Sequence, residues 1–374
     1  NLDKALNSLH QAFFLSDVKT LNVFLIGSTG LIGSTLIRQI EKQKKYLRES
    51  RSLELAVVGI TNTTKMYFDE DGISLTRYKE VVESKGQKAS IKAFVDQAKQ
   101  MNLPQSIVVD CTSSAEVVSY YTEILEHSIS IVTPNKLANS GKLSEYKKLR
   151  DTAKRRSVRF LYETNVGAGL PVISTLSDLL NSGDKVLKVE AVLSGTLSFI
   201  FNTYKSGMKF SDVVKQAKAK GYTEPDPRDD LSGMDVARKL LILARETGLE
   251  LEIKDIAIEQ ILPASCIKAK TVDDFFVALE AADAHFENKR AAADKKNQVL
   301  RFIALLENGK AQIRLLEVDT AHPFYNLSGS DNIVSFTTER YHDRPLVVKG
   351  PGAGAEVTAA GVFAEIISIG KSFE

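Results

Sequence analysis

The sequence predicts an α/β protein of two parts, a parallel-sheet domain followed by an α+β domain. Three observations predict it. Apolar runs of strand length alternate with helical segments over roughly residues 20–160. A glycine turn joins the first run to the first helix. After "RFLYETNVGAGLP" the alternation gives way to longer, half-exposed runs separated by helices.

In order along the chain, residues 1–19 read as a short lead-in helix with the apolar patch "LHQAFF". A buried strand, Leu21–Ile26, runs into the glycine turn and then a helix with apolar positions Leu31, Ile32, Leu36, Ile37 and Ile40. "LELAVVGI", "SIVVDCTSS" and "ISIVTPNK" are further buried strands, with helices such as "AEVVSYYTEILEH" between them. These form a dinucleotide-binding, Rossmann-type domain over 20–164. In a second, α+β domain over 165–345, "KVLKVEAVLSGTLSFIFNTY" and "AQIRLLEVDT" read as strands. Helices are expected at 211–220, 234–247 and 272–291. The charged "AADAHFENKRAAADKKNQ" reads as a solvated helix face. The tail, 346–374, reads as a glycine turn and an apolar helix.

Composition narrows the class. The 374 residues are enough for two domains, with 43% hydrophobic and 26% charged residues in ordinary soluble proportion. Lys+Arg 49 against Asp+Glu 47 leaves a net charge of +2, so charge gives no reason to expect nucleic acid or a membrane surface as partner. Two cysteines, Cys111 and Cys266, make neither a disulfide framework nor a thiolate metal cluster, and point to a reducing, cytoplasmic compartment. No apolar run is long enough to span a bilayer. The chain opens on Asn1 rather than methionine and is read as a piece of a longer protein.

"GSTGLIG" sets glycines at 27, 30 and 33. In a strand–turn–helix context, the backbone N–H groups and helix dipole of Gly27, Ser28, Thr29, Gly30, Leu31, Ile32 and Gly33 suit a dinucleotide pyrophosphate. The spacing is G-x-x-G-x-x-G, one residue longer in the first gap than the usual fingerprint. At the end of the second strand, "VVGITNTTK" carries no acid to take a ribose 2′-hydroxyl. Thr61, Asn62, Thr63 and Lys65 suit a 2′-phosphate instead, so NADP(H) is favoured over NAD(H). "DCTSS" and "TPNK" close later strands and place Thr112, Ser113, Ser114 and Lys136 where such sheets bind ligands. The competing reading is helix capping by the serines and a surface lysine.

The stretch "GYTEPDPRDDLSGMDVARK" crowds Glu224, Asp226, Asp229, Asp230 and Asp235 before Lys239. Two readings stand side by side. In one, Ser232-Gly233-Met234-Asp235 is a capping box, and Asp235 and Lys239 form an ordinary i,i+4 pair. In the other, the acids receive a substrate ammonium and protonated Lys239 donates to a carbonyl oxygen while hydride arrives, so the reverse oxidation runs faster at alkaline pH.

These motifs, with "HQAFF", "GLIGSTLIRQI", "VVDCTSS", "VTPNK", "ETNVGAGLPVI", "LSGTLSFIFN" and "GAGAEVTAAGVFAEI", resemble the homoserine dehydrogenase family over essentially the whole chain. They look most like the C-terminal half of a bifunctional aspartokinase–homoserine dehydrogenase. The resemblance implies reversible conversion of L-homoserine and L-aspartate 4-semialdehyde with NAD(P)(H). It implies Lys239 as the catalytic lysine, with Asp235 beside it. Asp235, Glu224 and Asp230 would bind substrate, with Lys136, Gly195 and Thr196 bordering it. Glu163 and the carbonyls of Val166, Ala168 and Leu170 match a monovalent-cation site, usually sodium. Gly352 and Gly354 match a turn that returns to the cofactor and packs the chain's end on the first domain. A homodimer through the second domain and a linked N-terminal aspartokinase are implied as partners, the latter by the "HQAFF" lead-in and the lack of a C-terminal regulatory extension. The extra residue at Ser28-Thr29 departs from the family's glycine turn and bears on cofactor preference.

Two other readings compete. An aspartate-semialdehyde dehydrogenase would need Cys111 as nucleophile with a histidine base, and no histidine lies in a motif beside it. A regulatory dinucleotide-binding module that has lost its chemistry would bind cofactor without turnover.

Overall fold

The computed structural model describes residues 18–371. The lead-in helix expected over 1–19 and its "HQAFF" patch therefore lie almost wholly outside the described residues. The chain divides into two compact units, one of Asn1–Gly169 with Gly354–Glu374 and one of Leu170–Ala353.

The first unit is built on strands β1 (Lys19–Ile26), β2 (Leu53–Thr61), β3 (Lys65–Phe68), β4 (Gln87–Lys88), β5 (Ser106–Asp110), β6 (Ser130–Val132) and β7 (Phe160–Leu161). Their order is β4-β3-β2-β1-β5-β6-β7. The run from β2 to β7 is parallel, and β3 and β4 form an antiparallel edge. β1 is buried along Leu21–Ile26, as a strand covered on both faces must be. The chain winds one way from β1 to β2 and the other way to β5. The order thus reverses at β1, where open sheets of this kind leave a crevice beyond the strand ends.

Helix α1 (Leu31–Arg51) follows β1 and buries Leu36, Ile37, Ile40 and Leu47. The helix expected in "AEVVSYYTEILEH" is two short ones, α2 (Ala115–Ser119) and α3 (Tyr121–Glu126), stepping at Tyr120. α4 (Leu143–Arg156) leads to β7. The C-terminal helix, Ala355–Lys371, completes this unit: Val362, Ile366 and Ile369 share a core with Leu21, Leu36 and Ile40. At Gly370 an added Cβ would stand 2.9 Å from Leu53 Cδ1 and 3.2 Å from Leu21 Cδ1, so helix and sheet meet closely there.

The second unit holds strands β8 (Val186–Val192), β9 (Ala257–Ile258), β10 (Val299–Glu307), β11 (Lys310–Val318), β12 (Asp331–Thr338) and β13 (Leu346–Pro351) in the order β13-β12-β8-β10-β11-β9. All pairings are antiparallel except β11 with β9. The helices used below are α5 (Gly195–Thr203), α6 (Pro227–Leu231), α7 (Met234–Glu246), α8 (Val272–Ala281) and α9 (Asp283–Asp294).

Four expectations are corrected here. Only the first part of "KVLKVEAVLSGTLSFIFNTY" is a strand; from Gly195 it is α5. Ser194 Oγ caps α5 by accepting the Leu197 N–H at 3.1 Å, and Leu197, Ile200 and Phe201 fall on its buried side. The helix expected over 272–291 breaks at Ala282 into α8 and α9. Residues 346–351 belong to the second sheet as β13, paired with β12, and not to a tail on the first unit. The units divide at Gly169/Leu170 and Ala353/Gly354 rather than at 164/165 and 345/346. At the first of these, Gly169 packs on the C-terminal helix, where its Cβ would lie 2.3 Å from Val357 O.

Candidate functional site

In the first unit the β1–α1 turn is shaped by glycine. Gly27 has φ +86°, and a Cβ there would meet Thr112 Cγ2 at 3.0 Å and Cys111 O at 3.2 Å. At Gly33 a Cβ would lie 2.2 Å from Gly27 O, so the first turn of α1 closes onto the loop only without a side chain. Gly30 is the N-cap and gives no side-chain cap, which leaves the first N–H groups of α1 for an anion. Thr29, Gly30 and Leu31 are exposed, Leu31 by 74%; Ile32 is half-buried.

Ser28 is a correction. It is fully buried; its N–H and Oγ both donate to Thr61 O, at 3.0 and 3.1 Å. The extra residue of the turn thus ties β1 to β2 and has neither donor left for a phosphate. Thr61 is also turned inward, its hydroxyl on the carbonyls of Asn62 and Lys65. Asn62 Oδ1 organises the β2–β3 turn by accepting from the N–H groups of Thr64 and Lys65. Thr63 is exposed, and Lys65 pairs with Glu83 at 3.1 Å.

At the end of β5 the carboxyl of Asp110 is wholly buried. It accepts from Tyr121 Oη at 2.6 Å, Thr112 N at 2.8 Å and Asn135 Nδ2 at 3.1 Å. Burial pushes the Asp110 carboxyl above its ordinary range, and these donors pull it back. Asn135 also donates to Ser114 O, and its Oδ1 accepts from Leu137 N. One network thereby fastens "DCTSS" to "TPNK", on either side of Lys136. Thr112 Oγ1 accepts from Ser114 N, and Ser114 Oγ caps α2 by accepting from Val117 N at 3.4 Å, so the capping reading holds for Ser114; Ser113 is exposed. Sequence reasoning missed Tyr121 and Asn135. The Cys111 thiol is pushed up by burial and by Asp110, which is unfavourable for a thiolate nucleophile.

The segment after β7 is strained. Glu163–Asn165 is a single 3-10 turn, Gly167 has φ +78° and Ala168, a non-glycine, φ +53°. Asn165 is anchored, accepting from Asn139 Nδ2 and donating to Thr133 O, both at 2.9 Å. Glu163 N–H donates to Glu365 Oε1. Thr164 Oγ1 and Glu365 Oε2 are buried without hydrogen-bond partners. Such oxygen-rich, unsatisfied surroundings fit a hard cation held by Glu163 and the Val166 and Ala168 carbonyls. The Leu170 carbonyl already accepts the Val172 N–H at 2.9 Å.

In the second unit the acidic stretch sorts into distinct roles. Asp226 caps α6 and grips Arg228, whose guanidinium also reaches Ala269 O. Asp230 is a brace: Oδ1 accepts from Thr196 Oγ1 at 2.9 Å and Oδ2 from Glu224 N at 2.8 Å. Burial raises the Asp230 carboxyl above its ordinary range. The Thr196 hydroxyl also reaches Tyr222 O, so α5 and the Tyr222–Glu224 loop are joined twice. Asp229 and Glu224 are exposed, and the carboxylate of Glu224 has no partner among the described residues.

The capping box expected at Ser232–Asp235 does not form. Gly233, φ +73°, is the N-cap of α7 and makes no side-chain cap; Ser232 ends the preceding turn, its hydroxyl on Asp229 O. Asp235 is thereby left for Lys239. The Lys239 ammonium lies 2.8 Å from Asp235 Oδ2 and 2.7 Å from Leu193 O, with its side chain 11% exposed against 47% for Asp235. Leu193 leads into Ser194, Gly195 and Thr196. The Lys239–Asp235 pair is thus tied through Leu193 to the chain that carries Thr196, and Thr196 in turn is bonded to Asp230 and, through it, to Glu224. Gly352 is needed because a Cβ there would stand 1.9 Å from Asn332 Cγ; the Asn332 amide is buried and unpartnered, a residue no sequence signal marked. Gly354 has φ +117°.

A glycine turn at a sheet's reversal point and a lysine buried between a carboxylate and a backbone carbonyl define a dinucleotide-dependent oxidoreductase class. Comparison with known proteins agrees. The profile "Homoserine dehydrogenase, NAD binding domain" matches residues 29–163, and "Homoserine dehydrogenase" matches 171–367. A maize chloroplastic bifunctional aspartokinase/homoserine dehydrogenase is 45% identical over 98% of this chain and 40% of its own length. A homoserine dehydrogenase of Schizosaccharomyces pombe is 41% identical over 93% of this chain and 95% of its own. The solved structure of a hyperthermophilic archaeal homoserine dehydrogenase mutant in complex with NADPH superimposes with a TM-score of 0.73 at 25% identity, covering 95% of this chain and 99% of that one. The chain belongs to the homoserine dehydrogenase family. It spans 40% of the length of the plant bifunctional relatives it matches. Among the described residues no helix is long and apolar enough to cross a membrane.

Proposed function

We propose that this chain interconverts L-homoserine and L-aspartate 4-semialdehyde, with NADP(H) favoured over NAD(H). The observation that carries the reading is Lys239, buried on α7 with a carboxylate on one side and a backbone carbonyl on the other. A carbonyl oxygen can only accept, so Lys239 Nζ donates there, which fixes the direction of the nitrogen. A bound nicotinamide dinucleotide supplies or takes the hydride. In the reducing direction Lys239 Nζ gives a proton to the aldehyde oxygen; in the oxidising direction the neutral amine takes the alcohol proton, which alkaline pH favours. Asp235 orients that nitrogen. The carboxylate of Glu224, held in place through Asp230, receives the substrate ammonium, and Lys136, Gly195 and Thr196 border the substrate.

For the cofactor, Gly27, Gly30, Gly33 and the first N–H groups of α1 hold the pyrophosphate. The preference for NADP(H) is supported by the missing acid after β2 and by the amide nitrogen of Asn62, Thr63 and Lys65, which suit a 2′-phosphate. The loop from Glu163 holds a monovalent cation, and Gly352–Gly354 returns to the cofactor. In its full-length form we place the enzyme in the cytoplasm as a homodimer, joined to an N-terminal aspartokinase; the maize relative's name describes a protein that carries both activities.

The test is nicotinamide absorbance with L-homoserine, with NAD and NADP supplied separately at neutral and alkaline pH. Homoserine-dependent reduction, faster with NADP and at alkaline pH, is expected. Lys239→Ala is expected to lower kcat by roughly 10²–10⁴; a kcat close to wild type would remove Lys239 from the chemistry. Dinucleotide binding without turnover would favour the regulatory-module reading.

A further inference from the structure

The C-terminal helix carries a buried carboxyl to the Glu163–Gly169 loop, one that stands beside the cation ligands named above and is not itself among them. Glu365 is 9% exposed. Its Oε1 accepts the Glu163 N–H at 2.6 Å. Its Oε2 is buried with no hydrogen-bond partner. Thr164 Oγ1, in a residue 7% exposed, is also buried without one.

The helix and loop that bear these oxygens interlock. Gly361 lies one turn before Glu365. A Cβ there would stand 2.5 Å from Thr164 Cγ2, 3.0 Å from Gly169 Cα and 3.5 Å from Ala168 O. That helix face is therefore in contact with the strained stretch containing Gly167 and Ala168. A carboxylate removed from water needs a positive partner or several donors. Glu365 has a single N–H, and no lysine, arginine or histidine forms an ion pair with it among the described residues.

We propose that Glu365 supplies the negative charge of the cation site, so that sodium held by the loop carbonyls also binds Glu365 Oε2 and fastens the C-terminal helix to the loop. This rests on the cation reading of Glu163, Val166 and Ala168 given above.

The experiment compares melting in sodium chloride and in choline chloride at equal ionic strength, with sodium affinity followed by sodium-23 line broadening. Wild type is expected to show a rise in melting temperature specific to sodium. Glu365→Gln, which keeps an oxygen for the Glu163 N–H, is expected to lose that rise and to bind sodium roughly 10- to 100-fold more weakly. Glu365→Asp, which withdraws the charge by one carbon, is expected to keep a weakened response. A wild type that melts alike in both salts, or either variant with wild-type sodium affinity, would overturn the proposal. Turnover of homoserine is read separately. Lost turnover with an intact sodium response removes only the proposed activity, and intact turnover with no sodium response removes only this site.

Discussion

Glu224 and Asp226 stand two residues apart in one acidic loop, yet their surroundings give them different roles. Asp226 caps a helix turn and holds Arg228 through both carboxylate oxygens. Glu224 is placed by its backbone, through the bond from its N–H to Asp230, and its carboxylate stays exposed. Glu224→Ala is expected to raise the KM for homoserine with little loss of stability. Asp226→Ala is expected to lower stability by about 1 kcal/mol, the value of a lost cap, with KM little changed. Steady-state kinetics beside urea unfolding separate the two, and a reversed pattern would mean that the ammonium-receiving group has been misplaced. Tyr121 makes a similar argument in the first unit. Its hydroxyl is one of three donors on the buried Asp110 carboxyl. Tyr121→Phe leaves that carboxyl short of a donor, at about 1–3 kcal/mol. Because Asp110 also accepts from Thr112 N and Asn135 Nδ2, the KM for the dinucleotide is expected to rise with it. Lost stability with an unchanged cofactor KM would limit the network to packing.

At the scale of elements, the β1–α1 turn is the most constrained. A methyl group at position 33 would lie 2.2 Å from the Gly27 carbonyl, with backbone rather than a flexible side chain as the obstacle. Gly33→Ala is therefore expected to displace the start of α1 and to weaken dinucleotide binding, measured by titration against cofactor fluorescence, by at least about tenfold for 1.4 kcal/mol. Wild-type affinity would show that the turn gives way without cost. This turn was legible in the sequence because a buried apolar run and regularly placed glycines point the same way. Other elements were not. "LSFIF" fits a strand or a helix by hydrophobicity alone, and the signal that decides, Ser194 as cap, is a single residue. β3 and β4, of four and two residues, are too short to show a period. The β10–β11 hairpin did carry a usable signal, Asn308-Gly309, both of which adopt the positive φ of a tight hairpin turn. In the site, the Asp235–Lys239 pair follows from a spacing of four. The Leu193 carbonyl that buries Lys239 is 46 positions away, and the donors of Asp110 depend on packing between strands and helices.

At the scale of the whole molecule, the chain forms its first unit from two distant pieces. Residues up to Gly169 build the sheet, the chain then forms the second unit, and from Gly354 it returns to finish the first. The returning helix is part of the core. Val362, Ile366 and Ile369 are at most 2% exposed and Phe363 8%, clustered with Leu21, Leu36, Ile40 and Leu53. Arg38 and Gln39 of α1 also bind Glu356 at its start. Four large apolar side chains at about 1.5–3 kcal/mol each amount to on the order of 10 kcal/mol, comparable with the ~5–15 kcal/mol that keeps a domain folded. Deleting residues 355–374 is therefore expected to abolish dinucleotide binding although no residue assigned to the glycine turn is removed. The first unit should lose its cooperative urea transition at the same time. A truncated protein that still bound the dinucleotide with wild-type affinity would show that the residues before Gly169 close their own core, and the return of the chain would then need another explanation.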